Sequence, residues 1–178
     1  KQNIEDKGLS QYIADSGFCN DRSLSTRANN GDGVQTTGNH TYYAGYTRYY
    51  ETHSPILTCP NPTNDLFTTS TSDTGNKALT YPIGLITVDE LMLGGLADGY
   101  MNRLSYTYSS SSYWTMSPSI FNVTYTTANE FYAPSVGYAN SYWVTLSYGM
   151  RAVINLKSDI QISGGIGTAN DPFVVQTT

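Results

Sequence analysis

Charged side chains are scarce in this chain of 178 residues. Nine Lys plus Arg and 14 Asp plus Glu make up 13% of it, about half the roughly 25% of an average soluble protein. With a net charge of −5 and no basic run, the chain lacks the electrostatic footprint of a nucleic-acid binder. Long apolar runs are missing too. No stretch approaches the roughly 18 consecutive apolar residues of a membrane span, and the opening Lys1-Gln2-Asn3-Ile4-Glu5-Asp6 has no signal-peptide pattern, so no membrane contact is expected of this polypeptide. Only two His and two Cys are present, too few at the wrong spacing for a zinc site, which needs four ligands in short pairs. No metal and no cofactor is expected. A Gly-x-Ser-x-Gly elbow, a phosphate loop, a zincin helix and an EF-hand run are likewise absent, which argues against an enzyme.

Aromatics, by contrast, reach 13%, with 16 Tyr, 5 Phe and 2 Trp. Polarity carried by Tyr, Ser, Thr and Asn rather than by charge argues against an intrinsically disordered chain, and the length suits one domain with a real core. Cys19 follows Gly17-Phe18 and Cys59 follows Leu57-Thr58. A disulfide stapling the polar segment between them is the better reading, with two buried free thiols as the alternative. Ile4, Gly8, Leu9, Tyr12 and Ile13 carry rough helical spacing with no N-cap ahead of them. Residues 1–15 therefore read as the end of a truncated N-terminal helix, from which an anchor or pilin helix is missing, and 16–178 as a single domain.

Residues 22–54 hold almost no aliphatic side chain and predict an extended loop with one short strand at Tyr42 to Tyr50. Leu79 to Thr87, LTYPIGLIT, predicts a buried strand. Thr87 with Glu90 three residues on is a capping box opening a helix from Val88 to about Leu93, which stops at Gly94-Gly95. Strands are then expected at Tyr113 to Met116, Ile120 to Tyr125, Tyr142 to Tyr148 and Met150 to Lys157, with a closing strand at Asp171 to Val175. The class is α+β, with few short helices, antiparallel strands and long irregular loops.

Between Tyr100 and Tyr148 stand nine Tyr, ten Ser, six Thr and four Asn, with Arg103 and Glu130 the only charges. Tyr interleaved with small polar residues is the chemistry of antibody paratopes, in which Tyr supplies rigid amphipathic area and Ser and Asn adaptable hydrogen bonds. The plainer reading is that Tyr fills half-buried strand positions. Trp114 and Met116, on one face of a strand, read as core; Trp143 reads as exposed. Asp89 and Glu90 are explained by the helix start, Asp65 offers an oxygen ligand of the kind Asx turns supply everywhere, and Arg151, flanked by apolar residues, reads as a buried ion-pair partner.

Four motifs in order, Ser16 to Arg22 (SGFCNDR), Leu79 to Thr87, Tyr113 to Ser119 (YWTMSPS) and Gly149 to Lys157 (GMRAVINLK), resemble a group of surface or pilin-associated proteins of gut bacteria. Their C-terminal domains are similar to the C-type lectin-like fold shared by formylglycine-generating-type domains and the variable proteins of diversity-generating retroelements. The resemblance runs from Ser16 to Val175, with Met150 and Ala152 departing from the usual residues around Arg151. It implies a C-type lectin-like fold with a variable region at about residues 100–151, where a retroelement rewrites adenine-containing codons, and a cell-surface or extracellular location. Varied adenines in Asn codons give Tyr, Ser, Asn, Asp, Thr, Phe and Ala, the set that dominates this region. The residues expected to be diversified or ligand-contacting are Tyr106, Tyr108, Ser110, Ser112, Asn122, Thr124, Tyr125, Asn129, Phe131, Tyr132, Tyr138, Asn140, Tyr142 and Trp143. Trp114, Met116, Arg151, Val153 and Ile154 are expected as scaffold. The calcium-and-sugar motifs of true C-type lectins are absent, and Cys19 and Cys59 do not suit formylglycine-generating chemistry. The expected function is a non-enzymatic ligand-binding display module whose partner is a protein or surface receptor; the alternative is a structural pilin-like or adhesin subunit.

Overall fold

The structure, a computed structural model, describes residues 2–168 and 170–176. Helices are few and short: α1 (Gln2–Glu5), α2 (Ala44–Thr47), α3 (Pro62–Asp65) and α4 (Val88–Leu93), with a 3-10 turn at Leu9–Tyr12 and a π-helical turn at Arg48–Thr52. The strands in chain order are β1 (Phe18–Cys19), β2 (Thr41–Tyr42), β3 (Leu66–Phe67), β4 (Gly84–Leu85), β5 (Tyr113–Asn122), β6 (Thr127–Ala133), β7 (Asn140–Trp143), β8 (Gly149–Met150), β9 (Ala152–Val153), β10 (Ile162–Gly164) and β11 (Val174–Val175). A five-stranded sheet runs β2-β5-β6-β7, with β8 pairing β5 in parallel. The pairs β1-β3, β4-β9 and β10-β11 are antiparallel. The chain is thus mixed α and β, mostly antiparallel, with short helices.

Strand β5 organises the rest because its two faces differ in size. Tyr113, Thr115, Ser117, Ser119 and Phe121 are buried, while Trp114, Met116, Pro118, Ile120 and Asn122 are half-buried. Small hydroxyl residues on the inner face let backbone come close: a Cβ on Gly45 of α2 would lie 3.6 Å from the Pro118 carbonyl. Their polar groups are mostly satisfied. Thr115 Oγ1 donates to the Phe131 carbonyl at 2.8 Å, and Ser117 Oγ accepts the Val88 N–H at 2.9 Å. Around them Tyr49, Val88, Leu91, Leu96, Tyr113, Phe131, Ala133 and Ala139 form the core. The Tyr49 hydroxyl donates to the Ala139 carbonyl at 2.8 Å, as a buried phenol must.

Outside this core, charge and sulfur tie down the long loops. Arg48 pairs with Asp21 at 2.8 Å and with Asp89 at 2.7 Å, and Arg22 pairs with Asp65 at 2.7 Å. Burial opposes the Arg48 charge, but the two carboxylates outweigh it and push the guanidinium pKa up. Cys19 and Cys59 are joined by a disulfide, which anchors β1 to the loop ahead of α3. Asp65 spends its oxygens on Arg22 and is not arranged as a cation ligand.

Several expected elements differ. Residues 2–15 do not form one helix, because Gly8 adopts φ 66° and separates α1 from the 3-10 turn; Lys1 lies outside the described residues. Ala14 N–H donates to the Asn155 carbonyl and Lys157 N–H to the Tyr12 carbonyl, so this segment is stitched to the main body. The strand expected at Tyr42 to Tyr50 is instead the end of β2 followed by helical turns. Leu79 to Thr87 contains only the two-residue β4, since Pro82 and a turn from the Ile83 N–H to the Tyr81 carbonyl interrupt it. Ser117-Pro118-Ser119 does not end a strand: register irregularities on both sides of Pro118 accommodate the missing N–H, and β5 runs through. The helix Val88–Leu93 has its capping box, with Glu90 N–H donating to Thr87 Oγ1 and the Glu90 carboxylate accepting the Thr87 N–H.

Candidate functional site

Helices α2 and α4 and the π-helical turn lie against the Tyr113, Phe131 and Ala133 side of the sheet. The other side is covered by its own side chains. Cross-strand pairing sets Trp114 beside Tyr132, Pro118 beside Glu130, Tyr132 beside Asn140 and Glu130 beside Tyr142, so these residues share the outer face. Trp114 and Met116, expected in the core, belong to this face, because the small side chains of β5 face the helices. Tyr148, from the segment after β7, closes over two of them: its ring is 4.6 Å from Tyr132, stacked, and 4.8 Å from Trp114. At the sheet edge Trp143 lies 5.5 Å from Tyr142 and 5.7 Å from Tyr125.

The expected ligand-contacting residues divide among three places. Tyr106, Tyr108, Ser110 and Ser112 lie in the irregular loop before β5; Tyr106 is exposed, and the Tyr108 hydroxyl reaches the Ser135 carbonyl at 3.4 Å. Asn122, Thr124 and Tyr125 form the β5–β6 turn, where Asn122 Oδ1 accepts the N–H groups of Thr124 and Tyr125. Asn129, Tyr132, Asn140, Tyr142 and Trp143 sit on β6 and β7. Asn140 Oδ1 accepts from the Ser141 N–H and from the Tyr50 hydroxyl. Tyr138 is half-buried in the β6–β7 connection.

Two members of the set are corrected by their burial. Phe131 is fully buried against Tyr49 and Tyr50; its inward position on β6 makes it core and removes it from ligand contact. Tyr132 retains 9% of its surface because Trp114 and Tyr148 pack against it, so it forms the floor of the face. Arg151, expected as a buried ion-pair partner, is exposed and makes no ion pair among the described residues. Its guanidinium donates to the Thr107 and Tyr106 carbonyls and lies 5.4 Å from the Tyr113 ring centroid. Ile154, expected as scaffold, is 38% exposed.

Sequence reasoning passed over Glu130 and Tyr148. Glu130 is half-buried, and no ion pair or hydrogen bond is made to its carboxyl by the described residues. Burial raises its pKa from 4.5 to about 7. The available signal was that it is the only carboxylate between residues 100 and 148. Beside it on β6, Asn129 Oδ1 and Thr127 Oγ1 are buried with no hydrogen-bond partner among the described residues. Burial and the adjacent Tyr148 hydroxyl push the Tyr132 phenol pKa up, so that it acts as a neutral hydrogen-bonding group. The arrangement offers π faces, phenol hydroxyls and one carboxyl. It has neither a nucleophile–base pair nor a group of three or more His, Cys, Asp or Glu among the described residues that suits a metal.

A separate cavity of about 550 Å³ lies beside the disulfide and is lined by Arg48, Asp21, Asp89 and Glu90. Arg48 is already paired with two of these carboxylates, and Glu90 caps α4.

These features define an α+β protein with an aromatic sheet face. No family model, curated protein or solved structure matches the chain.

Proposed function

We propose that the chain is a non-enzymatic binding module, a C-type lectin-like variable protein of a diversity-generating retroelement, which binds a protein or surface receptor at the bacterial cell surface. The observation that carries this reading is the outer sheet face. Trp114 from β5, Tyr132 from β6, Tyr142 from β7 and Tyr148 beyond it lie together on the side away from the helices, and Trp143 stands beside Tyr142 at the sheet edge. Aromatic groups of this kind dominate binding energies at protein interfaces. Many of the residues expected to vary lie on this face or on the adjoining turn and loop. The disulfide fits an oxidising compartment outside the cytosol.

The test is to sequence the DNA flanking the gene and search for a near-copy of the stretch encoding residues 100–151. The expected result is a copy whose mismatches fall at template adenines and translate to the exposed or outer-face positions, with the Phe131 codon unchanged. Finding no copy, or mismatches spread over all four bases, overturns the retroelement reading and favours a fixed structural surface of the pilin or adhesin kind.

A further inference from the structure

Elsewhere in the same chain, tyrosines and a glutamate surround a guanidinium. Arg27 Cζ lies 4.1 Å from the Tyr42 ring centroid and 5.5 Å from that of Tyr46, while Arg27 Nη1 pairs with Glu51 at 2.7 Å. The outer face carries a similar set of groups without the cation. Glu130 stands between Pro118 on β5 and Tyr142 on β7, with Tyr132 two residues along its own strand and Trp114 beside Tyr132. Strands β5, β6 and β7 and residues 144–148 contain no Lys or Arg. A carboxylate without a partner is costly in such surroundings, whereas a cation over a Tyr or Trp face gains from both the ring and the charge.

We propose that the outer face receives a basic side chain, Arg or Lys, of a protein partner, whose charged head pairs with Glu130 and whose stem lies along the exposed Tyr142. The inference rests on the reading of this face as a binding surface and adds the chemistry of the partner. Charge complementarity supports it: the chain has a net charge of −5, and Glu130 is the only charged residue on the three strands.

Pairing would favour ionised Glu130 and release its proton, so affinity for the basic group rises as pH climbs through about 7. The titratable groups around Glu130 are the phenols of Tyr142 on β7, Tyr132 on β6 and Tyr148 after β7. From β5 come Trp114 and Pro118, and Tyr113 faces the core. His40, next to β2, lies at the far end of the sheet, where its Nδ1 accepts the Val123 N–H.

The experiment is a titration of the isotopically labelled full chain with N-acetyl-arginine amide and with its neutral isostere N-acetyl-citrulline amide. The Glu130 carboxyl carbon and the Trp114 and Trp143 indole N–H resonances are followed by NMR. The expected result is saturable movement with the arginine probe, a downward shift of the Glu130 pKa, and binding weaker by about tenfold for citrulline. Glu130→Gln should weaken the arginine probe by a similar factor and leave the rest of the spectrum in place. Equal binding of the two probes, arginine binding undiminished in Glu130→Gln, or no response to the arginine probe overturns the proposal. The comparison of probes requires no variant, so it holds even where the substitution perturbs folding. Failure here leaves the adenine-mismatch test of the binding face untouched, so the two readings fail separately.

Discussion

Between Thr41 and Tyr50 five of ten residues are Tyr, a density greater than that of residues 100–148, yet the structure closes the first stretch and opens the second. Along the helical turns Tyr42 meets Tyr46, Tyr46 meets Tyr50 and Tyr50 meets Tyr49, with ring centroids 4.7 to 4.8 Å apart at each contact. Tyr49 is wholly buried against Phe131, and Arg27 with Glu51 completes the outer end. On β5 to β7 the same residue type falls on a sheet, where successive side chains alternate between faces. The inner face of β5 carries Thr115, Ser117 and Ser119 between Tyr113 and Phe121, and Trp114, Tyr132 and Tyr142 fall on the outside. Tyrosine content alone therefore does not mark a binding surface. The secondary structure that carries it decides which rings are displayed, and the nearby charges decide which are already occupied.

The largest test of that contrast is Tyr49→Ala. Removing a fully buried ring from the centre of the core should cost about 4 kcal/mol, measured by urea unfolding of the oxidised protein. A loss as small as that of a surface substitution would show that the first cluster does not hold the fold. Tyr49→Phe, which keeps the ring and loses the bond to the Ala139 carbonyl, should cost about 1 kcal/mol. Next in size is the staple that bounds this region. Cys19 and Cys59 are 40 residues apart, and replacing both by Ser should remove about 3 kcal/mol. The Tm of the wild-type chain should fall by a comparable amount on reduction, whereas reductant should leave the Tm of the double variant where it is.

Legibility in the sequence followed the strength of local signals. The capping box at Thr87 and Glu90 places the start of α4 because both groups act within one turn. The strand at Tyr113 was visible, but Pro118 split it on paper, since only tertiary register shows where a proline's missing N–H is harmless. The spacing of Tyr42, Tyr46, Tyr49 and Tyr50 is helical, a pattern obscured by the lack of aliphatic residues around it. For the candidate site, the Tyr-rich composition pointed to the part of the chain that carries the outer aromatic face. It was silent on which face of β5 meets the helices, because Trp114 and Met116 are the more apolar residues and yet lie outside. Phe131 was misplaced for the same reason: one-residue alternation on β6 separates it from Tyr132, and composition carries no register.

A smaller effect distinguishes the open face from the closed one by pH. The Glu130 pKa is raised in the folded chain from 4.5 to about 7, so below 4.5 the group is protonated in both states. As pH rises through that interval, the unfolded chain loses a proton that the folded chain keeps, and the stabilising contribution declines until the folded group has also ionised. Glu130→Gln should therefore remove a downward slope of stability between pH 4.5 and about 7. The difference between the wild-type and variant unfolding curves isolates this group from the other carboxylates. Equal slopes would mean that Glu130 is solvated and carries no desolvation strain.

The smallest effect is the one that sharpens the comparison most. Tyr125 and Tyr142 are 63% and 43% exposed, and their ring centroids lie 5.7 and 5.5 Å from that of Trp143. Replacing either by Ala should change stability by no more than about 0.5 kcal/mol, in contrast to Tyr49→Ala, although the three residues are of one type. Trp143 supplies an internal reporter: its fluorescence should shift in both variants, because each loses a ring beside the indole, while urea midpoints stay near the wild type. A cost approaching that of Tyr49→Ala would mean that the edge of β7 is part of the core after all. The pair of rings would then be structural, and the face proposed for binding would shrink to the surroundings of Glu130, Tyr132 and Tyr148.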